Sequence, residues 1–176
     1  DVFSHNLGGA AGFNLANVAN GMFLKNNFIY DIKNNLGSSF STLARNVSGI
    51  LINSGSNHKI YHNSVHLYHA STATASNFIS CLTIGNGGLT GLDIRNNILV
   101  NTVTGGTASD AHVALFLPFD PSFVDGMNLT LNNNGYYTGS IANKSGLAFC
   151  GTNTYNTASF YTVANFDATT ITPATN

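Results

Sequence analysis

A chain of 176 residues, 43% of them apolar, has enough material for one core. Only 7% of it is charged and glutamate is absent, while 26 asparagines and 18 glycines are present; this excludes the Glu-, Lys- and Arg-coated surface of a helical protein and favours turns and extended chain. A formal charge of −1 with six scattered Lys and Arg provides no field for nucleic acid or an anionic membrane surface, and no apolar run reaches the roughly 18 residues of a spanning helix.

Residues 1 to 11 carry little pattern. From Gly12 an alternating apolar pair follows a small residue, and the same arrangement returns along the chain: Phe13/Leu15, Ile50/Ile52, Leu82/Ile84, Leu115/Leu117 and Leu147/Phe149. Gly12, Gly49, Cys81, Ala114 and Gly146 precede the pairs, small residues as expected where a strand starts close to a neighbouring backbone. Period-2 alternation places each pair on one strand face. Turns rich in Gly, Ser and Asn follow, most clearly at Asn53 to Asn57 and Gly85 to Gly88.

A second column then begins. Leu24-Lys25-Asn26-Asn27-Phe28-Ile29 recurs as Ile60-Tyr61-His62-Asn63-Ser64-Val65, as Ile94-Arg95-Asn96-Asn97-Ile98-Leu99 and as Leu131-Asn132-Asn133-Asn134-Gly135-Tyr136, with steps of 36, 34 and 37 residues between the aligned asparagines. Each motif leads into another short apolar strand, such as Val65 to Tyr68. Polar loops then close the period at Asn34 to Asn46, Ala70 to Asn77 and Thr104 to Asp110.

Three short strands per period, at near-constant spacing and without helical periodicity, predict an all-β parallel β-helix of about four to five coils. Coils stack at about 4.8 Å, so Asn27, Asn63, Asn97 and Asn134 are expected to form a ladder in which each amide serves the next and the asparagine itself breaks the strand. Leu24, Ile60, Ile94 and Leu131 should stack inside, as should Ile29, Val65, Leu99 and Tyr136. A β-sandwich also has short strands but does not repeat one bend residue at one offset four times. A leucine-rich repeat needs a shorter unit of about 20 to 29 residues.

The asparagine motif followed by Gly135-Tyr136-Tyr137, the strand Gly146 to Phe149, Thr154-Tyr155, Ser159 to Phe166 and Asp167 to Pro173 resembles the secreted right-handed parallel β-helix proteins of Bacteroidetes-type bacteria, which have a pectate-lyase-like fold. The resemblance covers about residues 12 to 173 and departs in lacking the tryptophan often found in the excursion. It implies a right-handed coil, an extracellular or cell-surface location, and an excursion over 154–173 before a further coil. Residues 1–176 thus read as one β-helix segment of a longer helix, a mature or excised piece, with further coils or another protein covering its open ends.

Four histidines, His58, His62, His66 and His69, lie within twelve residues. On extended chain they fall on different walls, so a solvated polar edge is the simpler reading than a tetrahedral metal site. Asp110, Asp120 and Asp125 offer oxygens but match no calcium-loop spacing. No metal or other cofactor is expected. Cys81 and Cys150 lie two coils apart on first-wall strands, beyond the roughly 7 Å limit for a bridge, and should be unpaired.

β-Helices resembling this one include polysaccharide lyases, epimerases and hydrolases. The lyases pair Lys or Arg with acidic metal ligands, because a base must remove the proton alpha to a neutralised carboxylate. Here Lys25, Tyr61 and Arg95 share a column with no acidic cluster facing them. Phe119-Asp120-Pro121 is similar to part of an alginate epimerase motif, but Ser122 stands where the histidine would be. Asp31 and Asp93 lie in different repeats and supply no paired carboxylates for glycoside hydrolysis. The alternative is a surface: the outward column Tyr30, His66, Val100, Tyr137, with Tyr61 and Tyr68 nearby and Phe116 outward on the first strand, presents rings on which sugar faces stack. The leading expectation is a non-enzymatic stalk, adhesin or glycan-contacting segment. A polysaccharide-processing enzyme and a phage or bacterial tailspike shaft are the alternatives.

Overall fold

The computed structural model describes residues 10–17, 19–33, 47–72, 77–117, 127–141, 145–150 and 160–161. The first coil holds β1 (Ala10–Leu15), β2 (Phe23–Lys25) and β3 (Phe28–Tyr30); the second holds β4 (Val47–Ile52), β5 (Lys59–Tyr61), β6 (Ser64–Leu67) and β7 (Ala70–Ser71). The third contains β8 (Phe78–Ile84), β9 (Asp93–Arg95), β10 (Ile98–Asn101) and β11 (Thr104–Gly105). The fourth contains β12 (Ala111–Leu117), β13 (Thr130–Asn132) and β14 (Gly135–Thr138), and β15 (Ser145–Cys150) and β16 (Phe160–Tyr161) follow.

Equivalent strands of successive coils pair, which makes the protein a parallel β-solenoid. The first sheet runs β1-β4-β8-β12-β15-β16, the second β13-β9-β5-β2 and the third β14-β10-β6-β3. All pairings are parallel except β15 with β16. A fourth, two-stranded sheet joins β7 to β11, inside what the sequence suggested were loops. Apart from β16, the excursion expected over 154–173 lies outside the described residues, as do the loop at 34–46 and the acidic stretch at 118–126.

Register follows the repeat. Leu24, Ile60, Ile94 and Leu131 align in the second sheet, and Ile29, Val65, Leu99 and Tyr136 align in the third. In the first sheet Phe13, Ile50, Leu82 and Leu115 align, but the next residue in that column is Ala148. The expectation that Leu147/Phe149 continues the column is therefore corrected by one residue. Gly146 looked like the small residue that opens each pair, whereas it aligns with Val113.

Those small residues have a different role from the one the sequence suggested. Gly12, Gly49, Cys81 and Ala114 lie inside the strand, between the aligned outer and inner residues, and face the core together with the apolar residue that follows. Ala114 and Leu115 both belong to the main core, as do Cys81 and Leu82. A Cβ at Gly49 would come 2.3 Å from Val65 Cγ1 and 2.6 Å from the Cys81 carbonyl oxygen; at Gly12 it would come 2.5 Å from Ile29 Cγ2. The first sheet thus bends inward onto the inner residues of the third sheet, and only a small side chain fits where the two walls meet.

The turn between second and third sheets is also displaced by one residue. Positive φ belongs to Asn26 (57°), His62 (54°), Asn96 (55°) and Asn133 (52°), the residues preceding the aligned asparagines. Asparagine and histidine tolerate this left-handed conformation better than most side chains. The aligned asparagines are left to bond. Asn27 Nδ2 donates to Asn63 Oδ1 at 2.9 Å, Asn63 Nδ2 to Asn97 Oδ1 at 3.0 Å, and Asn97 Nδ2 to Asn134 Oδ1 at 2.9 Å. Each backbone N–H in the series donates to the same oxygen as its amide. Asn63 and Asn97 are buried, so these bonds satisfy polar groups whose burial would otherwise cost about 1–3 kcal/mol each.

Candidate functional site

The third sheet is buried on its inner face and open on its outer one. Val65 and Leu99 point inward and are buried, so the alternate residues point out. They form two columns: Phe28, Ser64, Ile98, Gly135 and, beside it, Tyr30, His66, Val100, Tyr137. Phe28 is 69% exposed, Tyr137 62%, Ile98 55% and Tyr30 46%. The Phe28 and Tyr30 rings stack with centroids 5.3 Å apart and planes 26° apart. His66 lies 4.8 Å from the Tyr68 ring, and its Nε2 is 3.3 Å from Thr102 Oγ1. Tyr68, just beyond β6, is 43% exposed.

Tyr30, His66, Tyr68 and Tyr137 therefore share one face, with Phe28 and Ile98 added to it. No repeat marks those two in the sequence, because position +1 after the aligned asparagine varies as Phe, Ser, Ile and Gly. Two candidates lie elsewhere. Tyr61 is on the outer face of the second sheet, half-buried, with its ring edge-on to Phe23 at 5.2 Å and its hydroxyl donating to Asp93 Oδ2 at 2.5 Å. Phe116 is fully buried, against Phe78 at 5.0 Å, in a cluster with Ala111 and Val113 separate from the main core. It offers no ring to a ligand; pointing away from the coil interior does not expose it, because both faces of β12 are buried.

The second-sheet face is the charged one. Lys25, Tyr61 and Arg95 align there, beside Phe23, Lys59, Asp93 and Thr130. Lys25 Nζ sits 5.1 Å from the Phe23 ring centroid, within the range of cation–π attraction. Arg95 pairs with Asp93, which also accepts the Tyr61 hydroxyl. Burial and then the Asp93 hydrogen bond push the Tyr61 phenol above its ordinary value, and the Asp93 hydrogen bond raises the already high Arg95. Asp93 is thus held in place by two neighbours. Asp120 and Ser122 lie outside the described residues.

The histidines do not converge. His58 is buried; its Nδ1 accepts from the Met22 N–H at 3.1 Å, so Nε2–H donates to the Ser54 carbonyl at 2.8 Å, and both nitrogens are occupied by backbone. His62 is exposed at the left-handed turn. No group of three His, Cys, Asp or Glu residues placed to hold a metal occurs among the described residues. The Asp110 carboxylate is buried and accepts from the Asn77 and Thr107 N–H groups and from the Thr107 hydroxyl, so it ties loops together. Beside it, buried His112 donates Nδ1–H to the Val103 carbonyl at 3.0 Å and places Nε2 3.9 Å from Asp110 Oδ2. Burial, followed by the Lys33 charge, lowers the titration of His69. Cys81 is a buried free thiol whose burial pushes its ionisation far up.

Among the described residues no helix is long and apolar enough to cross a membrane. Comparisons with protein-family models, with curated proteins and with solved structures found no match.

Proposed function

We propose that this chain is a rigid, non-enzymatic segment of a secreted or cell-surface β-helix protein, working as a stalk or adhesin whose third-sheet face contacts glycans. The observation that carries the reading is the outward ring column of exposed Tyr30 and Tyr137 with half-buried His66 between them, widened by Phe28 and Tyr68, on a sheet whose inner face is pinned to the core. Flat rings with polar edges suit sugar faces, and the neighbouring Ser64 and Thr102 hydroxyls supply neutral hydrogen-bonding partners. Spacing is fixed by the coil stack, so the rings are pre-arranged and lose little freedom on binding. The kinship with secreted Bacteroidetes-type β-helix proteins belongs to the same proposal and rests on the motif pattern.

A glycan screen tests it, followed by Tyr30→Ala with Tyr137→Ala and, separately, Lys25→Ala with Arg95→Ala. Each stacked ring contributes on the order of 0.5–1.5 kcal/mol, so the expected affinity is modest, about micromolar to millimolar. Binding should depend on the tyrosine pair and survive loss of the cations. Formation of an unsaturated uronate product, abolished by the cation pair of substitutions and spared by the ring pair, would replace this reading with a lyase. A tailspike shaft would show itself by trimerisation.

A further inference from the structure

The outer face of the third sheet is built without Asp, Lys or Arg. Its two columns hold rings, aliphatic groups, serine, histidine and glycine across four coils, and Asp31 and Lys33, just past β3, pair with each other at 3.1 Å. Charge is placed on the neighbouring wall instead: Lys25, Lys59 and Arg95, three of the four Lys and Arg residues among those described, stand on the second sheet. A carboxylate or sulfate pressed onto the third sheet would lose its hydration with no Lys or Arg to replace it.

Exposure along the column Tyr30, His66, Val100, Tyr137 is uneven. Tyr30 and Tyr137 at its ends are exposed, while His66 and Val100 between them are half-buried, so the column has a ring at each end and a lower middle. The end rings are three rungs apart, about 14 Å at the inter-strand spacing. Only a ligand laid along the solenoid axis reaches both, because one laid along a strand meets a single rung. Phe28 stacks with Tyr30 at the first rung, and exposed Ile98 lies beside Val100 at the third, so apolar contact continues between the ends.

We infer that the ligand of this face is an uncharged, extended polysaccharide linked through equatorial oxygens, of the cello-oligosaccharide kind, lying along the solenoid axis with one sugar over each coil. The inference rests on the glycan reading and specifies its ligand. In such a chain every pyranose presents a flat face of C–H bonds to a ring, and the rise per sugar is close to the spacing of the coils, so successive sugars stay in step with successive rungs. A chain linked through an axial oxygen winds away from a straight column and leaves one end ring empty. In the middle, His66 and Thr102, joined at 3.3 Å, and the nearby Ser64 offer hydrogen-bonding partners to the sugar hydroxyls.

The test is an NMR titration of the whole chain with cellobiose, cellotetraose and cellohexaose, beside maltotetraose, which differs from cellotetraose only in its linkage, and tetragalacturonate, which is acidic. Affinity should rise by about two- to tenfold from cellobiose to cellotetraose, as the second end ring is engaged, and stay nearly level at cellohexaose. Cellotetraose should shift the Tyr30 and Tyr137 signals together, and maltotetraose and tetragalacturonate should bind more weakly. Tyr137→Ala, a change at an exposed position, should bring the cellotetraose affinity down to that of cellobiose and remove the dependence on length. A preference for maltotetraose or tetragalacturonate, or equal binding of cello-oligosaccharides of every length, would overturn this inference, and the glycan reading would stand as long as that binding needed the rings. Binding of no sugar by the native chain would overturn both.

Discussion

The first and third sheets share four coils and yet differ in what surrounds them. Every residue of β4, β8 and β12 is buried, so both faces of the first sheet are enclosed over these three strands, and its outer side there holds a second apolar cluster beside hydrogen-bonded hydroxyls of Ser48 and Thr83 2.7 Å apart. In the third sheet only the inner residues are buried, and the outer columns carry rings into solvent. The difference separates two tasks that one repeat can serve: the six- and seven-residue strands form a spine, and the three- and four-residue strands form a display face. Substitutions should therefore have effects set by which sheet they fall in and not by residue type.

A matched aromatic pair breaks or sharpens this contrast most strongly. Phe116→Ala should lower stability by about 3–5 kcal/mol, because a fully enclosed ring leaves a cavity against Phe78. Tyr137→Ala should change stability by no more than about 0.5 kcal/mol. Denaturant titration of both variants decides it; equal losses would mean that the two faces are not distinct. Gly49→Ala should follow at about 3 kcal/mol, since the new methyl meets Val65 and a backbone carbonyl that cannot both retreat, and the same measurement checks it.

Within the ladder the contrast is between an enclosed and a terminal member. Asn97→Leu strands the Asn63 amide and N–H and the Ile60 carbonyl and should cost about 2–3 kcal/mol. Asn27→Leu removes one of the two donors to Asn63 Oδ1, the side-chain amide, and among the described residues leaves no donor stranded, so its cost should be visibly smaller in the same titration. A reversed order would show that the ladder does not run as described.

The smallest expected effect is on pH. Burial lowers His69 below the ordinary imidazole value of 6.5, so the unfolded chain binds the proton more readily than the folded one. The contribution is present in full above pH 6.5 and is lost as pH falls below it. Comparing the melting temperature of the native chain and His69→Asn across that range should show a shallower acid-side decline in the variant.

Much of the coil repeat was legible because it rests on identity at a fixed offset: Asn63 and Asn97 recur with the same neighbours, and stacking rewards that repetition directly. The rest was hidden for specific reasons. Strict alternation put Phe116 on the outside of the coil, and nothing in the local pattern said that this outside is enclosed. Gly146 imitated the small inward residue, so the last rung was read one position early. The turn was assigned to Asn27 and its equivalents because both members of the Asn-Asn pair suit a turn, and only φ distinguishes Asn26, which turns, from Asn27, which bonds. Asp110 and His112 sit at a loop and a strand start with no repeat to mark them, and their proximity depends on side-chain geometry. Tyr61 was grouped with the ring column by proximity in sequence, although the left-handed residue at His62 sends it to a different face.

The register of the first sheet carries the account, and methyl contacts read it most directly. In nuclear Overhauser spectra of selectively methyl-labelled protein, Ile50, Leu82 and Leu115 should contact one another in series, and the Leu115 methyls should contact Ala148 in the following rung. A Leu147 methyl taking the place of Ala148, or contacts joining the ends of β4 and β8 in antiparallel order, would contradict the stacked, parallel arrangement from which both the spine and the display face are derived.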